Sequence, residues 1–178
     1  MKFTKNTRAA FFTAAMFLIA LFSLQVSAQE KNGGLKSAST TSANSKIIED
    51  KLVQFLKKSG GYTKLADYVW AKPSQAQSIG KFNFVVFVAP DTDEVTVFVI
   101  IAEKKNIKLS QDLLFKLLNF SASRENVQIT DSGDLTLGIG MNGRLMDWQE
   151  FNDVTERVAF AADKLHERIS KDLISSPK

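Results

Sequence analysis

The chain contains no cysteine. Thiol catalysis, zinc–thiolate centres, iron–sulfur clusters and disulfides are therefore excluded, and the fold must be held by core burial alone. Histidine occurs once, as His166, beside the apolar stripe of the last predicted helix. A lone histidine there reads as a helix-surface residue rather than a general base. Nothing repeats along the 178 residues, and one stretch only is apolar over a long run, Ala9–Leu24. At 16 residues it falls short of the ~20 that a spanning helix needs.

That run has a leader's layout. Lys2, Lys5 and Arg8 precede it without an acid, and Val26-Ser27-Ala28 follows as a small-residue cleavage site. The expectation is a signal peptide over 1–28 cut after Ala28, and a periplasmic or secreted product with no stable membrane span. Lys+Arg then falls from 23 to 20 against 19 Asp+Glu, and the net charge from +4 to about +1. A nucleic-acid surface is not expected on that balance. Residues 29–44, QEKNGGLKSASTTSAN, have almost nothing to bury and read as a flexible spacer. The folded domain is expected over 45–174, with a short tail at 175–178.

Within the domain, Ser45 is a plausible N-cap, and Ile48, Leu52, Phe55 and Leu56 follow at helical spacing until Gly60-Gly61. YTKLADYVWAK (62–72) reads as one strand, broken at Lys72-Pro73-Ser74. FNFVVFVAPDTDEVTVFVIIA (82–102) reads as a hairpin. A helix over 109–120 has Ser110 as cap and Leu113, Leu114, Leu117 and Leu118 as its stripe. A second hairpin spans 125–141. Asp147 and Glu150 have capping-box spacing at the head of a final helix carrying Phe151, Val154, Val158, Ala161, Ala162, Leu165, Ile169 and Leu173 along one side. The order is α-β-β-β-α-β-β-α. The fold class is α+β, a mainly antiparallel sheet with helices on one face.

The hairpin registers separate two faces. A four-residue loop, 90–93, pairs Ala89 with Glu94. Phe82, Phe84, Val86 and Val88 then oppose Ile101, Val99, Val97 and Val95 on a fully apolar core face. The other face carries Asn83/Ile100, Val85/Phe98 and Phe87/Thr96, and a one-residue slip would scramble this partition. In the second hairpin, Asp131-Ser132-Gly133 fits a three-residue loop that pairs Val127 with Leu137 and Ile129 with Leu135. Its back (Asn126, Gln128, Thr130, Thr136, Gly138) is an ordinary wet face. One end of the second sheet face is thus apolar, and something should cover it: the chain's own helix or loop, a homodimer partner, or a peptide or lipid-like ligand. Val85, Phe87, Phe98 and Ile100 are the candidate partner-binding residues, and Trp70 joins them if its parity matches.

Other constellations are weak. Gly138-Ile-Gly140-Met-Asn-Gly143 matches a dinucleotide fingerprint in letters only, because no helix opens inside the glycines. Asp91-Thr-Asp93-Glu94 has too few ligands and no glycine for a calcium loop. Asp163 and Glu156 read as solvated helix-face charges. No catalytic residue, metal site or cofactor is expected; carboxylate-only catalysis is what the inventory leaves to an enzyme.

The segments LSQDLLFKLLNF (109–120), VQITDSGDLTLGIGM (127–141) and FNDVTERVAFAADKL (151–165) resemble the YbjN family of bacterial proteins, described as sensory transduction regulators. The resemblance covers roughly 45–174. It implies a fold like that of type III secretion chaperones, commonly dimeric and binding protein segments on its surface, and it implies no catalytic residues. An export signal departs from the family's cytoplasmic members. The combined expectation is an exported, non-enzymatic protein-binding or chaperone-like module. It would act as a homodimer through an apolar sheet or helix surface, with a carrier of a small apolar ligand as the alternative.

Overall fold

The computed structural model describes residues 38–89, 92–120 and 125–174. The expected leader lies outside them, as do most of the expected spacer, Pro90-Asp91 and the expected C-terminal tail. Helix α1 (Ala38–Ser59) is followed by strands β1 (Thr63–Ala66), β2 (Val69–Gln75), β3 (Lys81–Val88) and β4 (Glu94–Ala102), helix α2 (Gln111–Phe120), strands β5 (Asn126–Ile129) and β6 (Leu135–Asn142), and helix α3 (Trp148–Ile169). The six strands form one antiparallel sheet in the order β1-β2-β3-β4-β6-β5.

The expected single strand over 62–72 is two strands. Asp67-Tyr68 turns the chain back on itself, and Tyr68 takes a left-handed φ of 60°. Lys64 then pairs with Trp70 and Thr63 with Ala71. A turn built on tyrosine instead of glycine or asparagine carries no sequence signal. Pro73 does not break β2, which continues to Gln75 opposite Lys81. β1 reaches only as far as Ala71, so Pro73 sits on an edge segment where a missing N–H costs no ladder bond. α1 starts seven residues before Ser45, which is buried within the helix rather than capping it. No Gly or Pro interrupts 38–45, so a helix nucleated around Ile48 and Leu52 propagates backwards unopposed.

The core face follows the expected registers. Phe84 pairs with Val99, Val86 with Val97 and Val88 with Val95. Val127 pairs with Leu137 and Ile129 with Leu135, and Gly133 takes φ 89° at the hairpin tip. Above this face, α1 packs Ile48, Leu52 and Leu56. α3 packs Phe151, Val154, Val158, Ala161, Ala162, Leu165 and Ile169, and α2 adds Leu113 and Leu117. Asp147 caps α3, its carboxylate accepting from Glu150 N at 2.8 Å. Leu173 lies past the helix end, bridged to Ile107.

A tether that the sequence did not announce joins α1 to the β6–α3 connection. The three N–H bonds of the Lys51 ammonium go to three carbonyls, Gly143 O (3.2 Å), Arg144 O (2.8 Å) and Met146 O (2.9 Å). Beside it, Phe55, Trp148 and Phe151 stack with centroids about 6 Å apart, and Lys58 Nζ lies 4.2 Å above the Trp148 ring. α1 and α3 are thus fixed over the sheet at their shared end.

Candidate protein-binding surfaces

Two apolar surfaces stand outside the core. The first is the back of the sheet. Val69 pairs with Phe87, Ala71 with Val85 and Val85 with Phe98, so these side chains share the face turned away from the helices. Phe87, Phe98 and Ile100 are half-buried there, and Val85 is buried. None of them belongs to the helix-side core. Trp70 requires a correction. It pairs with Val86, is only 5 % exposed and lies in the core under the helices. The turn at Tyr68 shifts its parity, and Val69 and Ala71 take the positions that Trp70 was expected to share.

Phe98 also has a local partner. It stands opposite Gly138, where an added Cβ would come within 2.7 Å of Phe98 Cβ and 3.0 Å of Val97 O. The glycine leaves room for the aromatic side chain to lie against the neighbouring strand. The glycines of the fingerprint-like stretch thus serve packing: Gly143 abuts Ile48 in the same way.

The second surface is the outer face of α2. The expected leucine stripe divides. Leu113 and Leu117 are buried, whereas Leu114, Phe115 and Leu118 are 45, 63 and 70 % exposed. At 100° per residue these three fill an arc of about 100°. Ser110 Oγ caps the helix on Leu113 N at 3.1 Å. The helix's own charges, Asp112 and Lys116, pair with each other, and Lys116 also reaches Asp172 at 2.9 Å. The apolar arc therefore carries no unpaired charge of its own.

Polar chemistry concentrates where the β2–β3 loop meets α3. Asp163 Oδ1 accepts from Ser78 N at 2.6 Å and from Ile79 N at 3.0 Å, and Ser78 Oγ lies 3.0 Å from His166 Nδ1. Asp163 is thus a loop anchor rather than a solvated surface charge, and His166 is half-buried. The Ile79 N–H is the largest cause holding the Asp163 carboxyl below its ordinary value, and burial pushes His166 down. A serine–histidine contact suggests a nucleophile, but the adjacent N–H groups that would stabilise an oxyanion are filled by a carboxylate. A shallow open groove of about 460 Å³ on the outer side of α3 is lined by Glu125, Asp153, Glu156, Arg157, Phe160 and Ala161. It is charged and open, unlike the apolar enclosure a small-ligand carrier uses. Among the described residues, no cluster of His, Asp and Glu could hold a metal ion, and no helix is long and apolar enough to cross a membrane.

An open six-stranded antiparallel sheet with its described helices on one face defines an α+β fold of the type III secretion chaperone-like class. The chain is similar to a chain of the crystal structure of the ExsC–ExsE complex, with a TM-score of 0.51 and 9 % identity over 70 % of this chain and 93 % of that one. A weaker likeness is to the heterodimeric ExoU–SpcU complex from the type III secretion system of Pseudomonas aeruginosa. There the TM-score is 0.40 and the identity 15 %, over 57 % of this chain and 82 % of that one, too low to bear weight. No protein-family model matches the chain, and no curated protein matches it in sequence.

Proposed function

We propose that this protein is an exported, non-enzymatic binding module of chaperone-like character, acting as a homodimer in the periplasm or outside the cell. The observation that carries the reading is the outer face of α2. Three large apolar side chains on one arc, with the helix charges paired to one side, suit a two-fold contact. In such a contact the same face meets its own copy without like charges opposed. The back of the sheet is then left for a client segment, with Val85, Phe87, Phe98 and Ile100 as its apolar contacts. The fold likeness to a chain of a protein–protein complex is in keeping with this role. The leader layout of residues 1–28 supports export, and the three segments quoted above support kinship with the YbjN family.

The test is light scattering on purified residues 29–178. A dimer is expected, and Leu118→Asp should yield a monomer with an unchanged circular dichroism spectrum. A wild-type monomer at tens of micromolar would sink the dimer reading.

A further inference from the structure

Asn142-Gly143, at the end of β6, is the one Asn-Gly pair among the described residues. Asparagine before glycine is a chemically labile pair in water, because no Cβ hinders the glycine nitrogen as it nears the side-chain carbonyl. The nitrogen of Gly143 would form a bond to Asn142 Cγ and give up its proton. The side-chain nitrogen takes up a proton and departs as ammonia. Water then opens the resulting five-membered imide. Attack at Cγ leaves an aspartate; attack at the backbone carbonyl leaves an isoaspartate, whose main chain is one methylene longer. Water is the only co-reactant, and no electrons change hands.

The fold needs both residues here. Asn142 is exposed, and its Oδ1 accepts from Arg144 N at 3.0 Å and from Leu145 N at 3.3 Å. Gly143 is buried, and an added Cβ would come within 2.6 Å of Ile48 Cγ2 and 3.0 Å of Val95 Cγ2. The same surroundings shut the reaction. The Gly143 N–H, whose proton must leave, donates to Asp93 O at 2.5 Å. Arg144 Nη2 pairs with Asp93 Oδ2 at 2.7 Å, and Lys51 holds the carbonyls of Gly143, Arg144 and Met146 from α1. The nitrogen is thus kept from the side chain by partners on three separate elements.

We propose that Asn142 is a latent deamidation site, closed by the Lys51 tether and the Asp93 hydrogen bond, which reacts only while the Gly143–Met146 connection is open. Its rate then reports local opening of that connection rather than unfolding of the whole chain. The two products differ in consequence. An aspartate at 142 keeps oxygen acceptors for the amides of Arg144 and Leu145. An isoaspartate lengthens the backbone just ahead of Gly143, which then cannot meet Asp93 O, Ile48 and Lys51 together. A chain that stays open long enough to react does not close again in the same form, and α1 loses its hold on the β6–α3 connection. The site is independent of the export, dimer and client readings.

The test incubates the full chain at mildly alkaline pH beside a synthetic peptide of residues 139–146 in the same buffer. Deamidation at Asn142 is followed by peptide mapping and mass spectrometry. The folded chain should lag the peptide by roughly tenfold or more. Lys51→Met should speed the reaction severalfold towards the peptide rate with the circular dichroism spectrum unchanged. Should that variant unfold, the parent chain in urea below its unfolding midpoint takes its place, and deamidation should rise before the circular dichroism signal falls. The isoaspartyl product, separated by chromatography, should exchange its amides over 143–146 faster than the aspartyl product. The inference is overturned by a folded chain that reacts at the peptide rate, or by a folded Lys51→Met chain no faster than its parent. Deamidation that rises only together with global unfolding, or equal amide exchange in the two products, overturns it as well.

Discussion

His166 and Asp163 lie within one turn of α3, and the β2–β3 loop acts on each in a different way. Both groups have folded pKa values below their unfolded ones, Asp163 through the Ile79 and Ser78 N–H groups and His166 through burial, with Asp163 pulling His166 partly back. A depressed pKa contributes stability that is complete above the unfolded value and is lost as pH falls through the folded one. The His166 share should therefore begin to fade near its ordinary value of 6.5, and the Asp163 share only below 3.8. A melting-temperature series from pH 8 to pH 4 should slope downwards, and His166→Gln should flatten the slope between about pH 7 and 5. An unchanged slope would mean that another group governs it. Tyr62 offers a test of opposite sign. Its hydroxyl is buried without a hydrogen-bond partner of good geometry, and burial pushes its pKa up to about 12, with the nearby Thr155 hydroxyl pulling it partly back. Removing an unsatisfied buried hydroxyl costs nothing, so Tyr62→Phe should be neutral or stabilising by up to ~1 kcal/mol in urea unfolding.

Among the elements, α1 depends on partners far along the chain. Lys51 alone closes three carbonyls of the β6–α3 connection. Lys51→Met keeps the apolar stem and removes the donors, and should cost roughly 1.5–3 kcal/mol with the loss concentrated at the Gly143–Met146 connection. Hydrogen exchange would check this: amides of that connection should speed up while those of β5, at the far edge, do not. The strands were readable wherever loop length and one fully apolar face agreed on a register, because a slip of one residue moves a whole apolar set to the wrong face. The β3–β4 and β5–β6 registers came through for that reason. The turn at Asp67-Tyr68 did not, since its left-handed residue is a tyrosine that the surrounding pairings hold in place. That one turn moved Trp70 from the expected back face into the core.

At the scale of the whole molecule, the proposed dimer through the outer face of α2 carries a thermal signature. A dimer's unfolding is linked to its dissociation, so the melting temperature of residues 29–178 should rise with protein concentration, by a few degrees over a hundredfold range. Leu118→Asp should abolish that dependence. A concentration-independent melt in the parent chain would point to a monomer.

Composition and pattern were enough to determine the α+β class, two hairpin registers, the core stripe of α3 and the back-face placing of Val85, Phe87, Phe98 and Ile100. Each rests on local periodicity, which a chain carries whatever its neighbours do. Tertiary structure alone decided the rest. It chose which leucines of α2 meet the core and which meet water, because a leucine looks the same on either side of a helix. It turned Asp163 into a loop anchor and Lys51 into a tether, because partners 84 to 95 residues away leave no mark beside either residue.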